Sequence, residues 1–411
     1  MPVSHPNRVL TMNTGSATLK AAIYDVHPSA KLVLSIQVDS AREGGRIRIS
    51  DFAGSSLLDE SSSAHDSNGS LELIFQWLAD QGYVSRLAAA GHRLVHGGVR
   101  YTKPERITPA FLADIEQLVP LDPDHLPEAI SGIKFIAQKL PELPQVACFD
   151  TAFHASMPKV AQMYALSRRL YDGGIRRFGF HGLSYEYISR ELRKLEGAAA
   201  GGSATNGSAN GRVIVAHLGS GASMMAMRGG TSMDTSMGFT PLEGLVMGTR
   251  CGDIDPGAVL YLLEQGKISP QELSAQLNKQ SGLLGVSGTS ADMRDLLALA
   301  AKGDTHADEA IELFCYRAKK YIGSYAAALG GLDILVFTGG IGERAAAVRD
   351  RICRGLEFLG IQIDAARNQA NADIISTSAS RVKVLVIETN EDLMIVQHVL
   401  SLLGWTNREA P

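Results

Sequence analysis

Residues 213–227 read Val-Ile-Val-Ala-His-Leu-Gly-Ser-Gly-Ala-Ser-Met-Met-Ala-Met. An apolar run ends in Gly219-Ser220-Gly221 and a second apolar run follows, which predicts two strands joined by a glycine turn. Half a chain earlier, Val9 to Met12 leads into Asn13-Thr14-Gly15-Ser16 and then into a β-prone run from Thr18 to Tyr24. Two hairpins of one kind at that spacing predict a duplicated unit. Asp333 to Phe337 reads as a buried strand that Gly339-Gly340-Ile341-Gly342 turns into a helix from Arg344 to about Glu357. Between these lie helical patterns. Thr108-Pro109 supplies an N-cap and a first-turn proline, and Ile311, Phe314, Ala318, Ile322, Tyr325 and Leu329 form one stripe at helical spacing. Strands alternating with helices make the chain α/β.

The 411 residues are 45% hydrophobic and 20% charged, enough for a full core without a disulfide or metal staple. With Lys plus Arg 39 against Asp plus Glu 43, the formal charge is −4. No basic block is present, which argues against nucleic acid or a membrane surface as partner. Any bound anion must therefore be held by a local cluster. Cys148, Cys251, Cys315 and Cys353 are far apart, so neither a zinc ribbon nor a redox pair fits. Such thiols suit a reducing compartment. No signal peptide and no membrane span are expected, and the expected location is cytoplasmic. Residues 197–211 are rich in Gly, Ala, Ser and Asn and are expected to form a flexible surface loop.

Three glycine turns follow strands, at Asn13–Ser16, Gly219–Gly221 and Gly339–Gly342. Turns of this type let backbone N–H groups approach phosphate oxygens. None matches the GxxxxGK[ST] or GxGxxG pattern, which disfavours the P-loop and dinucleotide readings. Other segments place His and Arg among Gly, Phe and Pro: Gly91-His92-Arg93-Leu94-Val95-His96-Gly97-Gly98, Phe149-Asp150-Thr151-Ala152-Phe153-His154, Arg176-Arg177-Phe178-Gly179-Phe180-His181-Gly182, and Met233 to Pro256. A single His or Arg of this sort is more often a satisfied structural hydrogen-bonder. Several together point to a site.

These segments, with MNTGSATLK at Met12–Lys20, SGLLGVSGTSADMRD at Ser281–Asp295, FTGGIGER at Phe337–Arg344 and ETNEDL at Glu388–Leu393, resemble the acetate kinase family of short-chain carboxylate kinases. They occur in the family's order over nearly the whole chain. The resemblance implies two ribonuclease-H-like α/β domains of the actin, sugar kinase and Hsp70 superfamily around a central nucleotide cleft. The domains would be 1–155, with a C-terminal helix at about 390–411 packed back on it, and 156–389. The implied reaction is reversible, direct in-line transfer of a phosphoryl group from ATP to acetate, giving acetyl phosphate and ADP. Mg²⁺ would assist, with Mn²⁺ able to substitute, and the enzyme would be a homodimer.

By the same resemblance Arg93 holds the carboxylate, and Val95, Leu121, Phe180 and Pro241 line the apolar side of its pocket. Arg250 and His181 hold the equatorial oxygens of the moving group. Asp150 is an orienting residue or the nominal acid/base; the orienting role is preferred because a carboxylate needs no deprotonation. Asn13 and Glu391 place the metal. The nucleotide lies on His217, Leu218, Gly219, Ser220 and Gly221, on Asp292, Met293 and Arg294, and on Gly340, Ile341, Gly342, Glu343 and Arg344, with Lys20 near the phosphates. Asp292 with Arg294 has a bland alternative, a helix-start acid beside a surface cation.

The chain departs from the pattern at Asp122, where the family carries a pocket-side His, absent here or displaced to His125. It departs again at Ser220, at Leu183 and Tyr185, and at Arg344. Asp122-Pro123-Asp124 is expected to be a turn whose first carboxylate faces water. Competing readings are a kinase for propionate or another short carboxylate, a sugar or polyol kinase, and a non-catalytic actin-like nucleotide switch.

Overall fold

Both hairpins form, and each begins a sheet of the same design. A computed structural model describes residues 7–14, 18–39, 45–61, 67–199, 211–266 and 268–405. Gly15 and Ser16 of the first turn lie outside the described residues, as do 200–210 of the segment expected to be a loop, whose first residues, 197–199, instead end the helix Gly182–Ala199. The chain divides into two units, Met1–Phe153 with Asn390–Pro411, and His154–Thr389.

The first unit contains β1 (Arg8–Thr14), β2 (Thr18–Asp25), β3 (Lys31–Asp39), β4 (Arg46–Asp51), β5 (Ser56–Ser61), β6 (Leu87–Leu94), β7 (Glu105–Arg106) and β8 (Gln145–Phe149). They form one sheet in the order β5-β4-β3-β2-β1-β6-β8-β7. The second unit contains β9 (Arg212–Leu218), β10 (Ala222–Arg228), β11 (Thr231–Thr235), β12 (Ile334–Thr338) and β13 (Lys383–Val386), in the order β11-β10-β9-β12-β13. In each sheet an antiparallel meander, of five strands in the first and three in the second, is followed on the far side of its first strand by two parallel strands, and β7 adds an antiparallel edge to the first sheet. The duplication expected from two hairpins is therefore present in the connectivity of the whole sheet. The parallel strands β8 and β12 are buried throughout, which is why they read as unbroken apolar runs.

Parallel pairing gathers strand ends. β6 pairs in parallel with both β1 and β8, so Asn13, Arg93 and Asp150 leave the sheet at one edge. In the second unit β9 and β12 pair in parallel with Thr338 opposite His217, so both glycine turns leave at one edge. Carboxyl ends of parallel strands are where α/β proteins place ligands.

The predicted helices are present where packing demands them. Thr108 caps the helix Pro109–Glu116 by accepting from the Phe111 amide at 3.2 Å. The helix Thr305–Leu329 buries the whole predicted stripe. The helix expected from Arg344 to Glu357 differs. It starts earlier, as Gly339–Arg344, breaks at Ala345 and resumes as Ala346–Cys353. The break has a cause: buried Arg349 donates from Nη1 to the Gly342 carbonyl at 2.8 Å, the oxygen a continuous helix would bond internally. The helix Glu391–Leu402 lies against β6, where a Cβ on Gly91 would come within 2.3 Å of Ile395 Cγ2. Only glycine allows that approach.

Candidate active site

In the first unit the centre of the polar cluster is Arg93. Its Nε donates to both Asp150 oxygens at 3.1 Å, and Nη2 donates to Asp150 Oδ2 at 2.5 Å. Nη1 donates to Asn13 Oδ1 at 2.9 Å and lies 3.7 Å from Glu391 Oε2. The Asn13 amide in turn reaches Glu391 Oε2 at 3.4 Å. Asp150 is fully buried, and its backbone amide donates to the Leu94 carbonyl at 3.0 Å, which pins it to the end of β6. Burial alone would lower the Arg93 pKa. The charges of Asp150, Glu391 and Asp392 more than reverse this and hold the guanidinium above its ordinary value. Asp392 is buried beside them, accepts from Thr11 Oγ1 at 2.8 Å, and is pushed above the usual carboxylate range by that burial. An arginine has five N–H bonds. Three are engaged here, which leaves one N–H on each Nη.

Asn13 and Glu391, tested as metal holders, offer oxygen donors only, as a hard cation requires. Asn13 Oδ1 is engaged by Arg93, so Glu391 is the principal protein donor. This fits an ion carried mainly by phosphate oxygens and water. Among the described residues no cluster of three or more His, Cys, Asp or Glu could hold a metal alone. Val95 is buried just beyond β6, and Leu121 is half-buried. Lys20, exposed on β2, pairs across the hairpin with Asn13.

Asp122 is not the water-facing turn residue the sequence suggests. It is 3% exposed, and His125 Nδ1 bonds its Oδ1 at 2.7 Å. The 3-10 turn Val119–Leu121 and the helix Leu126–Lys139 close the chain so tightly around it that the carboxylate points inward. Its carbonyl accepts from the Leu126 amide at 3.1 Å.

In the second unit His181 has a left-handed backbone, φ 58°, which costs a non-glycine residue about 1–2 kcal/mol. Such strain is held by its surroundings and collects at functional sites. Here Nδ1 of His181 bonds Ser223 Oγ at 2.8 Å, and its ring stacks on His217 with centroids 4.3 Å apart. A Cβ on Gly221 would stand 3.4 Å from His181 Nε2 and 4.0 Å from Arg250 Nη1. Arg250 Nη1 also donates to the Pro241 carbonyl at 3.3 Å. The structure thus brings His181, His217, Gly221, Arg250 and Pro241 together. Phe180 is buried, and its carbonyl accepts from His154 Nε2 at 3.0 Å.

The two glycine turns of this unit touch. Gly339, at φ 74°, sits where a Cβ would be 2.8 Å from the Leu218 carbonyl oxygen. The Gly248 amide donates to the Ser220 carbonyl at 2.9 Å, which ties the 219–221 turn to the loop carrying Arg250. Within the Gly340–Arg344 set, Glu343 faces inward. Its Oε1 accepts from the amides of Gly339 at 2.8 Å and Thr389 at 3.1 Å, a stitching role. Arg344 is exposed. Asp292 caps the helix Met293–Ala300 and pairs with the exposed Arg294 at 2.5 Å, the geometry of the bland alternative.

Sequence reasoning missed three supports. Arg349 is fully buried with its pKa lowered to about 10 by that burial, and it fastens Gly342 to Asn368 and Asn371. Arg177 donates to the carbonyls of Thr235, Ser236 and Met237 and, at 2.5 Å, to Glu243. Tyr164 donates to Glu243 at 2.5 Å and accepts from the Phe239 amide at 2.8 Å. These last two shape the loop leading to Arg250. An arginine inside a helix carries no sequence sign of burial; Glu243 and Arg177 lie in motifs already singled out.

Two histidines of those motifs have a structural role. Burial pushes His92 and His154 down to about 4, although Gln145 and the Phe180 carbonyl partly oppose it. Both are neutral when folded, whereas an unfolded histidine titrates near ~6.5. Between those values the unfolded chain binds more protons, so stability is fully present above about pH 6.5 and is lost as pH falls towards 4. Thermal melts should show the loss beginning at about pH 6.5, above the range of carboxylates; a melting temperature flat down to about pH 5 contradicts it.

Comparison with known proteins gives this geometry its context. The pattern of the Acetokinase family matches residues 8–397. An acetate kinase of Methylocella silvestris is 44% identical over 407 residues, covering 96% of this chain and 98% of that protein. One of Rhodopseudomonas palustris is 45% identical over 402 residues, with the same coverage. Among solved structures, a propionate kinase from Francisella tularensis has a TM-score of 0.87 at 39% identity, covering 95% of this chain and 98% of its own. An acetate kinase from Porphyromonas gingivalis has a TM-score of 0.84 at 36% identity, covering 97% and 100%. With a family pattern running from the first strand into the last helix, and relatives alike over their full length, the chain belongs to the Acetokinase family.

Proposed function

We propose that the chain is an acetate kinase, transferring the terminal phosphoryl group of ATP to acetate and, in reverse, from acetyl phosphate to ADP. The observation that carries the reading is the Arg93 cluster. A short carboxylate is already an anion at pH 7, so the acceptor needs no base. It needs relief from repulsion, about 4 kcal/mol for two unit charges 4 Å apart at an effective dielectric of 20. Arg93 supplies a permanent, partly buried cation with two N–H bonds to spare. Asp150, bonded to Arg93 through both oxygens, orients that cation and moves no proton.

In the second unit Arg250 and His181 take the charge on the equatorial oxygens of the transferring group, and the His217–Gly221 and Gly340–Gly342 turns carry the nucleotide. Phosphoryl transfer is mostly positioning and charge stabilisation, and these are the groups for it. Glu391 and Asn13 would hold Mg²⁺, or Mn²⁺ in its place, which when bound neutralises phosphate charge. In the first unit Val95 and Leu121 would exclude water from the acyl side.

A hydroxamate assay over formate, acetate, propionate and butyrate tests the reading. Acetate should give the highest kcat/KM, with activity lost on chelation and restored by Mg²⁺. Propionate as the better substrate would move the assignment to a propionate kinase. Absence of any acyl phosphate would leave a nucleotide-binding switch. Arg250→Ala should lower kcat by at least about 10³ with a much smaller change in KM, since its charge acts on the transition state. Unchanged turnover removes Arg250 from the mechanism.

The homodimer expectation has support of its own. The helix Pro256–Glu264 has no buried residue, yet it carries Leu260 at 56% exposure and Tyr261 at 62%. A second copy of the chain suits such a face. Light scattering should give a mass of about twice 43.9 kDa, and Tyr261→Arg should halve it; a wild-type monomer contradicts the dimer. Among the described residues no helix is long and apolar enough to cross a membrane.

A further inference from the structure

His181 and His217 are stacked, their planes 19° from parallel, and each rests its Nδ1 on a serine. His181 bonds Ser223 Oγ at 2.8 Å and His217 bonds Ser184 Oγ at 2.8 Å. Each serine has a second hydroxyl behind it. Tyr185 Oη lies 2.5 Å from Ser223 Oγ, and Thr389 Oγ1 lies 2.8 Å from Ser184 Oγ. Ser223, Ser184 and Tyr185 are wholly buried.

The direction of the first chain decides the state of His181. A neutral imidazole carries its proton on one nitrogen, and the partner of the other nitrogen selects which. A phenol, with an ordinary pKa near ~10, is a much stronger acid than an aliphatic hydroxyl. Either hydroxyl could donate in this contact, and the more acidic phenol is the better donor, which makes Ser223 Oγ the acceptor. The single proton of Ser223 then turns to His181 Nδ1, which accepts it. The ring proton sits on Nε2, the nitrogen 3.4 Å from where a Gly221 Cβ would be, on the side shared with Arg250.

We propose that Tyr185 and Ser223 are positioning residues that fix His181 as the Nε2–H tautomer, aiming its proton at the oxygens of a phosphoryl group seated on the Gly219–Gly221 turn. This rests on the reading of the chain as a carboxylate kinase in which His181 meets the transferring group. The left-handed backbone of His181 belongs to the same device, because it sets the ring against Ser223 and His217 together.

The test is a double-mutant cycle with a spectroscopic partner. Tyr185→Phe keeps the ring and removes the donor. It should lower kcat about five- to tenfold, the worth of one hydrogen bond, with the KM values for ATP and acetate changed less than about twofold. In a His181→Gln background the same substitution should cost less than about twofold, since Tyr185 acts only through His181. An equal loss in both backgrounds shows a merely structural role and overturns the proposal. If His181→Gln keeps full turnover, the fault lies in the reading of His181 itself. Nitrogen NMR of the wild-type protein then decides separately, with the His181 resonances assigned by their loss in His181→Gln. A protonated Nε2 and bare Nδ1 are expected, and a protonated Nδ1 overturns the proposal whatever the kinetics.

Discussion

The first unit is organised around one ion pair, a partly exposed Arg93 on a buried Asp150. Arg93 and Asp150 stand at the ends of neighbouring parallel strands, joined along the Nε/Nη2 edge of the guanidinium, with Asn13 and Glu391 at Nη1. A buried carboxylate such as Asp150 is expensive to desolvate, and removing its cation would leave that charge uncompensated, at a cost of up to about 3–5 kcal/mol. The surrounding structure exists to meet that cost. Three strand ends converge, a helix N-terminus brings Glu391 and Asp392, and Gly91 gives up its side chain so that this helix can approach. What results is a guanidinium held in one orientation by its own partners, the preorganisation that the proposed carboxylate binding would use.

The second unit uses the same sheet plan with a different lining. Its strand ends give way to glycine turns instead of ionised side chains, and these turns are locked to one another. Gly339 lies against Leu218, Gly248 holds Ser220, and Arg349 and Glu343 fasten the Gly339–Arg344 helix from beneath. The side chains that face the turn, His181 and Arg250, are held by serine, tyrosine and backbone partners. A duplicated scaffold thus supplies one edge suited to a carboxylate and one suited to phosphates.

Much of this was legible in the sequence, for physical reasons. Hairpins and the stripe from Ile311 to Leu329 are local patterns, and local patterns survive folding. The site segments were legible because Arg, His and Gly crowded among Phe and Pro conflict with both core and surface composition. What escaped depends on contacts between distant residues. Asp122 sits in turn chemistry, and only the packing of two helical segments turns it inward to His125. Arg349 looks like a solvated helical arginine until Gly342 and Asn368 are seen around it. Glu343 reads as a nucleotide-loop acid, yet two backbone amides claim it. Tyr185 was visible as a departure from the family pattern, but its role needed Ser223, thirty-eight residues away.

The central claim is that an ionised carboxylate, held by Arg93, attacks phosphorus directly. The most direct measurement uses acetate labelled with heavy oxygen on both carboxylate positions, with phosphorus NMR of the acetyl phosphate formed. Direct attack places one labelled oxygen on phosphorus, in the bridge to carbon, and gives an isotope-shifted resonance. An acetyl phosphate whose phosphorus carries no label would mean that phosphate attacked an activated acyl group, and would contradict the account.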